Sequence, residues 1–191
     1  MRTKKTTKKD QLVPAADFNN LRDLLGKPAL LRGEAIEDYQ AVEASLMVSL
    51  KPSDAQEYIW VRDIIDLQWE LLRMRQLKAK FLSSTSSEGL KAILQERGFD
   101  FTQFNPLAKK WATNDPNGVE AVRKLFEDWG LDESDILAKT YMKHIADLER
   151  LERITIGVET RRNSALHELE RHRATKKKFL HDITDVENDG D

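Results

Sequence analysis

The chain contains no cysteine among its 191 residues, and it has only eight glycines and five prolines. The absence of cysteine excludes disulfides, thiolate metal sites and a cysteine nucleophile. No apolar run approaches the length of about 18 residues that a membrane-spanning helix needs. The net charge of −2 gives no overall field that would attract nucleic acid or a membrane surface. We therefore expect a cytoplasmic protein without a membrane partner, because the basic start of the chain also lacks the apolar segment of a secretory signal.

The residues that are abundant favour an all-α fold. Charged residues make up 34% of the chain and hydrophobic residues 40%, and seven Phe and four Trp supply material for a core. A charged fraction above the usual quarter, with little glycine and proline, is typical of exposed helix surface. We predict a compact helical body over residues 17–130 and a long C-terminal helix over 131–183. A basic tail at 1–16 and an acidic tail at 184–191 are predicted to be disordered.

Helical spacing and capping signals divide the predicted body into short helices. Ser53 and Gln56 form a capping-box pattern, and the Ser/Thr-rich run 83–87 indicates a linker. We expect a loop that anchors aromatic side chains at 99–104, and a helix start at Pro106. The predicted helices of the body span 17–25, 34–50, 53–82, 87–97 and 116–129.

The C-terminal third predicts one very long helix. Between Asp132 and Asp182 there is no proline and a single glycine, Gly157. A helix of about 50 residues spans about 75 Å, against about 45 Å for the predicted helix at 53–82, so part of it needs another partner. Its apolar side chains thin out along the chain, which favours a marginal coiled coil, a bend near Gly157 or a partner that covers the helix. The candidate seam for self-association or for a protein partner is Tyr141, Ile145, Leu148, Leu151, Val158, Ala165 and Leu169.

A basic run near the end of this helix supports an alternative function. With the basic N-terminal arm at 1–16, it predicts phosphate contacts to nucleic acid without base reading. The simpler interpretation is a solvated basic helix end, which the helix dipole favours. The candidate contacts are Arg161, Arg162, Arg171, Arg173, Lys176, Lys177 and Lys178.

Catalytic and metal-binding signals are weak. Asp63, Asp66, Glu70 and Arg73 suggest a helical active site as a third hypothesis, although such a charged row is usually a solvated helix face. His167 and His172 are five residues apart, so their rings point about 140° apart around a helix and do not form a zinc-peptidase pair. The sequence therefore predicts a non-enzyme with no catalytic residue, cofactor or metal ligand.

Three stretches of the chain carry a resemblance to a family. They are LRDLLGKPALLRGEAIEDYQ, YIWVRDIIDLQWELLRMRQLKAKFL and LERITIGVETRRNSALHELERHR. They resemble a family of uncharacterised helical proteins found mainly in alphaproteobacteria, whereas 83–130 shows no such resemblance. The resemblance implies a bacterial helical protein and brings no activity, cofactor or catalytic residue. The matching residues are Val61, Arg62, Asp63, Leu67, Trp69 and Glu70, then Glu159, Arg161, Arg162, Asn163, Ala165, Leu166, Glu168, Glu170, Arg171, His172 and Arg173.

Overall fold

The computed structural model describes residues 21–188, with side chains up to residue 179. The described residues form an all-α fold without a strand, which confirms the predicted fold class. Residues 21–25 are helical and end at Gly26, whose φ of 80° suits a residue without a Cβ. The six longer helices are α1 (Ile36–Leu50), α2 (Ala55–Glu96), α3 (Phe101–Ala112), α4 (Pro116–Trp129), α5 (Glu133–Lys143) and α6 (Ile145–Asn188).

Both chain ends extend beyond what the structure describes. The predicted basic tail at 1–16 and the first four residues of the predicted helix at 17–25 lie outside the described residues. At the other end, the backbone of α6 stays helical to Asn188, five residues past the predicted helix end at 183. The rest of the predicted acidic tail, 189–191, lies outside the described residues.

The cap of α2 is Asp54, one residue later than the predicted cap at Ser53, and the helix begins at Ala55. The backbone N–H of Glu57 donates to Oδ1 of Asp54 at 2.9 Å, and the N–H of Ser53 donates to Oε2 of Glu57 at 2.9 Å. The Asp54 side chain therefore satisfies a free N–H group of the first turn, and the Glu57 side chain reaches back to the residue before the cap. This shift places two carboxylates at the N-terminus of α2.

The predicted linker at 83–87 is wrong, because α2 continues through it to Glu96. The hydroxyls in this run bond to carbonyls one turn back in the same helix. Ser84 and Thr85 donate to the carbonyl of Phe81 at 2.9 and 2.7 Å, and Ser86 donates to the carbonyl of Ser83 at 2.7 Å. These hydrogen bonds let polar residues remain helical where the sequence pattern suggested a break.

The predicted loop at 99–104 and the predicted helix start at Pro106 are also wrong. Helix α3 begins five residues before the proline, at Phe101. The side chain of Asp100 accepts from the N–H groups of Thr102 and Gln103, and the Gln103 side chain accepts from the N–H of Asp100. This capping box starts the helix upstream and leaves Pro106 in its interior.

The predicted single helix from Asp132 is two helices, separated at His144. Asp132 does cap α5, and α6 begins at Ile145 and is continuous through Gly157. The imidazole of His144 packs edge-on against Phe81, with ring centroids 5.3 Å apart. The later helix is therefore 44 residues long rather than about 50.

The chain forms two compact units, which differ from the predicted division at residue 130. One unit combines the chain up to Leu71 with the chain from Gly157 onward, and the other spans Leu72–Ile156. Helices α2 and α6 each contribute to both units. The first core contains Tyr39, Val61, Ile64, Ile65 and Leu169. The second core contains Leu90, Ile93, Leu94, Ala108, Val122, Phe126 and Ile136.

Within the second unit, Gly89 allows α2 and α5 to approach closely. A Cβ atom at this position would lie 2.2 Å from Oγ1 of Thr140 and 2.4 Å from the carbonyl oxygen of Ile136. Thr140 is fully buried, and its hydroxyl donates to that same carbonyl at 2.8 Å. The contact holds α5 so that Ile136 and Thr140 face the core and the adjacent face of the helix remains outside.

Candidate functional site

The residues of the predicted seam are divided between the interior and the surface. Leu148, Val158 and Leu169 are at most 4% exposed, so the chain itself covers them. Leu151 and Ala165 are half-buried, and Ala165 packs against the first core. Tyr141 and Ile145 are exposed. The part of the seam that a partner can reach is therefore its N-terminal end.

That end belongs to a group of exposed apolar side chains in the second unit, which we call the apolar patch. It consists of Leu137, Tyr141, Met142 and Ile145, with exposed fractions of 49, 38, 68 and 43%. Leu137, Tyr141 and Ile145 recur every four residues over α5 and the start of α6, so consecutive turns present them, and Met142 lies beside Tyr141, about 100° further around α5. Single exposed apolar residues are ordinary, whereas grouped ones indicate an interaction site.

Most of the predicted nucleic-acid contacts form interactions within the first unit. Arg161 pairs with Glu70 at 3.2 Å, and Arg162 donates to Gln68 at 2.8 Å. The exposed Arg171 pairs with Glu168 one turn away. Lysines 177 and 178 are exposed at the surface of α6. Arg173 and Lys176 belong to the polar cluster described below.

The carboxylates of the enzyme hypothesis lie on the outer side of α2. Asp63 is exposed, and desolvation together with the neighbouring charge of Asp66 raises its pKa. Asp66 accepts a hydrogen bond from the hydroxyl of Tyr39 at 2.5 Å. Glu70 pairs with Arg161. Arg73, the fourth residue of that hypothesis, belongs to the second unit and is half-buried.

A buried ion pair that the sequence did not indicate lies beside this row. Nη1 of Arg62 is 2.7 Å from Oε1 of Glu43, and the two side chains are 7 and 11% exposed. The guanidinium of Arg62 also lies over the ring of Tyr39, 5.4 Å from its centroid. Burial, followed by the hydrogen bond to Asp66, raises the pKa of Tyr39 well above its usual value. Tyr39, Glu43 and Arg62 line an open cavity of about 580 Å³ beside residues 22–30.

A second polar cluster joins the start of α2 to α6 in the first unit. Nε2 of His172 lies 3.1 Å from Oδ2 of Asp54, and Nζ of Lys176 lies 3.0 Å from the same oxygen. Nη2 and Nε of Arg173 contact Oε2 of Glu57 at 2.8 and 3.1 Å. The Glu57 side chain is 1% exposed. We call Asp54, Glu57, His172, Arg173 and Lys176 the polar cluster.

The polar cluster lowers the pKa of both of its carboxyl groups. For Asp54, burial acts to raise the pKa, but hydrogen bonds from the Glu57 N–H, His172 and Lys176 outweigh it and lower the pKa to about 2. For Glu57, burial is likewise outweighed, here by bonds from Arg173 and Ser53, and the pKa is lowered. Both groups are therefore carboxylates at neutral pH, and both are available as acceptors or ligands.

Sequence reasoning missed this cluster because it considered His172 only with its neighbours on the same helix. The residues that His172 meets lie 115 and 118 positions earlier in the chain. The shifted cap at Asp54 and Glu57 was a local signal for two carboxylates at the start of α2. Nothing in the sequence indicated that α6 would pass beside them.

The second and third of the three stretches that carry the family resemblance meet in the first unit. Arg161 and Arg162, from the later motif, contact Glu70 and Gln68 on the earlier helix. Comparison with protein-family models, curated proteins and solved structures gives no match for the chain. No helix in the described part of the chain is long and apolar enough to cross a membrane.

Proposed function

We propose that this protein is a non-catalytic helical interaction protein that binds a second copy of itself or another protein through the apolar patch. The observation that carries the proposal is the grouping of Leu137, Tyr141, Met142 and Ile145 on consecutive exposed turns. Burying such side chains yields about 25 cal/mol per Å² of apolar surface, the main driving force of protein association. The proposal keeps the predicted role and moves its location to α5 and the start of α6.

The polar side chains of the chain support a binding role over a catalytic one. Of the carboxylates in the enzyme hypothesis, Asp66 accepts from Tyr39 and Glu70 pairs with Arg161. Asp63 is exposed on the surface of α2. These are the contacts of a stabilised helix face.

The experiment compares the wild-type chain with Leu137→Glu/Met142→Glu by multi-angle light scattering over a wide concentration range. Two carboxylates in a buried apolar contact are costly, so the variant is expected to be monomeric where the wild type self-associates. Phe101→Glu is the matched control, because Phe101 is 67% exposed in the same unit, outside the patch.

If the wild type stays monomeric at high concentration, self-association is excluded and the partner is another protein. Affinity capture from a nuclease-treated lysate then compares the proteins retained by the wild type, the patch variant and the Phe101 variant. A protein retained by the wild type and the Phe101 variant but lost by the patch variant supports the proposal. Equal retention by all three, or no retained protein, contradicts it.

The nucleic-acid alternative has fewer available cations than the sequence suggested, because Arg161, Arg162 and Arg173 are bonded to side chains of their own unit. Its test is the anisotropy of labelled duplex DNA at low salt. Binding that weakens steeply with salt and is lost in Lys177→Ala/Lys178→Ala favours this alternative. Unchanged anisotropy removes it.

A further inference from the structure

We propose that Asp54, Glu57 and His172 form a binding site for a divalent transition-metal cation, with zinc as the best fit. One ligand atom from each of the three side chains lies within 4.8 Å of the other two. An imidazole nitrogen with two carboxylate oxygens is a donor set that zinc accepts in proteins. The inference is independent of the apolar patch, since these residues lie in the first unit.

The geometry requires only small side-chain movements. Ligands about 2.1 Å from a tetrahedral zinc ion lie about 3.4 Å from one another. Nε2 of His172 and Oδ2 of Asp54 are already 3.1 Å apart. Glu57 has to approach by at most about 1.4 Å, the difference between 4.8 Å and the ligand separation of about 3.4 Å, and rotation about its side-chain bonds provides such a movement. The helices that carry the ligands can stay where they are.

A second observation, independent of this spacing, points to a missing ligand. Oε1 of Glu57 is buried, and none of the residues that the structure describes donates a hydrogen bond to it. The other oxygen, Oε2, already accepts from Arg173 and from the N–H of Ser53. A buried carboxylate oxygen without a donor is costly, so native proteins supply one from protein, water or an ion. A cation shared with His172 and Asp54 satisfies this oxygen.

Lys176 is the residue that competes with a metal. Its ammonium lies 3.0 Å from Oδ2 of Asp54 and 3.3 Å from Oγ of Ser53. The side chain is 44% exposed, so the ammonium can leave for solvent when a dication takes its place. Arg173 contacts Oε2 of Glu57, not the unpartnered Oε1, and it holds that carboxylate in position. Metal binding therefore exchanges one internal cation for another.

The test titrates the untagged, chelator-treated full chain with Zn²⁺ against a chromophoric competitor. We expect one saturable ion per chain. His172→Gln is expected to weaken binding by at least about tenfold, since it removes a direct ligand. The matched control is His167→Gln on the same helix. The His167 side chain is 81% exposed and lies outside the cluster, so this variant should bind Zn²⁺ with the affinity of the wild type.

Lys176→Met provides the sharper outcome, because it removes the competing ammonium without touching a ligand. We expect it to bind Zn²⁺ about tenfold more tightly than the wild type. It also decides the result if circular dichroism shows that His172→Gln does not fold. No saturable binding, equal loss in both histidine variants, or unchanged affinity in Lys176→Met overturns the proposal and leaves the cluster as an ion-pair network.

Discussion

Gly89 allows helix α2 to lie directly against helix α5, and Gly89→Ala tests that packing. The added methyl group would lie 2.2 Å from Oγ1 of Thr140 and 2.4 Å from the carbonyl oxygen of Ile136. The hydroxyl can rotate, but the carbonyl belongs to the helix backbone and cannot. The variant must therefore separate the two helices or lose the hydrogen bond between Thr140 and Ile136.

The expected size of the effect follows from two opposing contributions. Alanine is about 1 kcal/mol more favourable than glycine inside a helix. Forcing a methyl group into a packed core costs about 1–3 kcal/mol or more, and losing the Thr140 bond costs about 1 kcal/mol. The net loss in unfolding free energy is about 1–3 kcal/mol, which corresponds to about 2–12 °C in melting temperature for a chain of this size.

Gly157→Ala is the matched control. It replaces another helical glycine, but no atom of the residues that the structure describes lies within 4 Å of the added Cβ. Only the helix preference remains, so this variant should gain about 0.5–1 kcal/mol. Thermal unfolding followed by far-UV circular dichroism measures both changes. The reasoning would be refuted if Gly89→Ala were as stable as the wild type, or if the two variants shifted in the same direction.

Three further predictions concern single side chains. Arg62→Ala should lower the unfolding free energy in urea by about 2 kcal/mol, because it removes the buried partner of the Glu43 carboxylate and leaves only the exposed Arg22 paired with it. Arg123→Ala, at an exposed pair, should cost clearly less, and equal losses would contradict the assigned burial. The pKa of Asp54 is lowered to about 2, so its ionised carboxylate stabilises the fold by about 2 kcal/mol above about pH 5. This contribution is lost as the pH falls toward 2 and the carboxylate becomes protonated. The unfolding free energy of Asp54→Asn should therefore be about 2 kcal/mol below that of the wild type at neutral pH and almost equal to it near pH 2. A difference in urea unfolding that does not change with pH would argue against this account. Ser84→Pro should lower the unfolding free energy by about 3 kcal/mol, because proline interrupts α2, whereas Ser84→Ala should leave it unchanged. Thermal unfolding measures both variants, and a proline variant as stable as the wild type would restore the linker interpretation.

Local signals predicted the helices whose ends carry strong capping residues. Pro116 and Gly130 bound α4 as the sequence indicated, and Asp132 caps α5. The errors arose where two local signals conflicted. At 83–87 a run of hydroxyl residues suggested a linker, but these side chains bond within the helix. At Pro106 the proline signal was weaker than the capping box that begins at Asp100.

The candidate sites were harder to predict, because they depend on which distant segments meet. The apolar residues of the C-terminal third were recognised, but spacing alone could not separate Leu148 and Leu169, which the chain buries, from Tyr141 and Ile145, which it exposes. Similarly, the sequence suggested that Arg173 is a free cation, whereas its guanidinium contacts Glu57, which lies 116 residues earlier in the chain. Helical periodicity predicts a face, and only the fold identifies what covers that face.

The central proposal is that the apolar patch binds a protein, and photo-crosslinking in the cells that produce this chain tests it most directly. A photoreactive residue at position 142, where Met142 is 68% exposed, is compared with one at position 101, where Phe101 is 67% exposed. Mass spectrometry then identifies the crosslinked product. A defined crosslink from position 142 alone, to a second copy or to one other protein, is the expected result. No crosslink from position 142, or the same products from both positions, would contradict the assignment of the patch as an interaction surface.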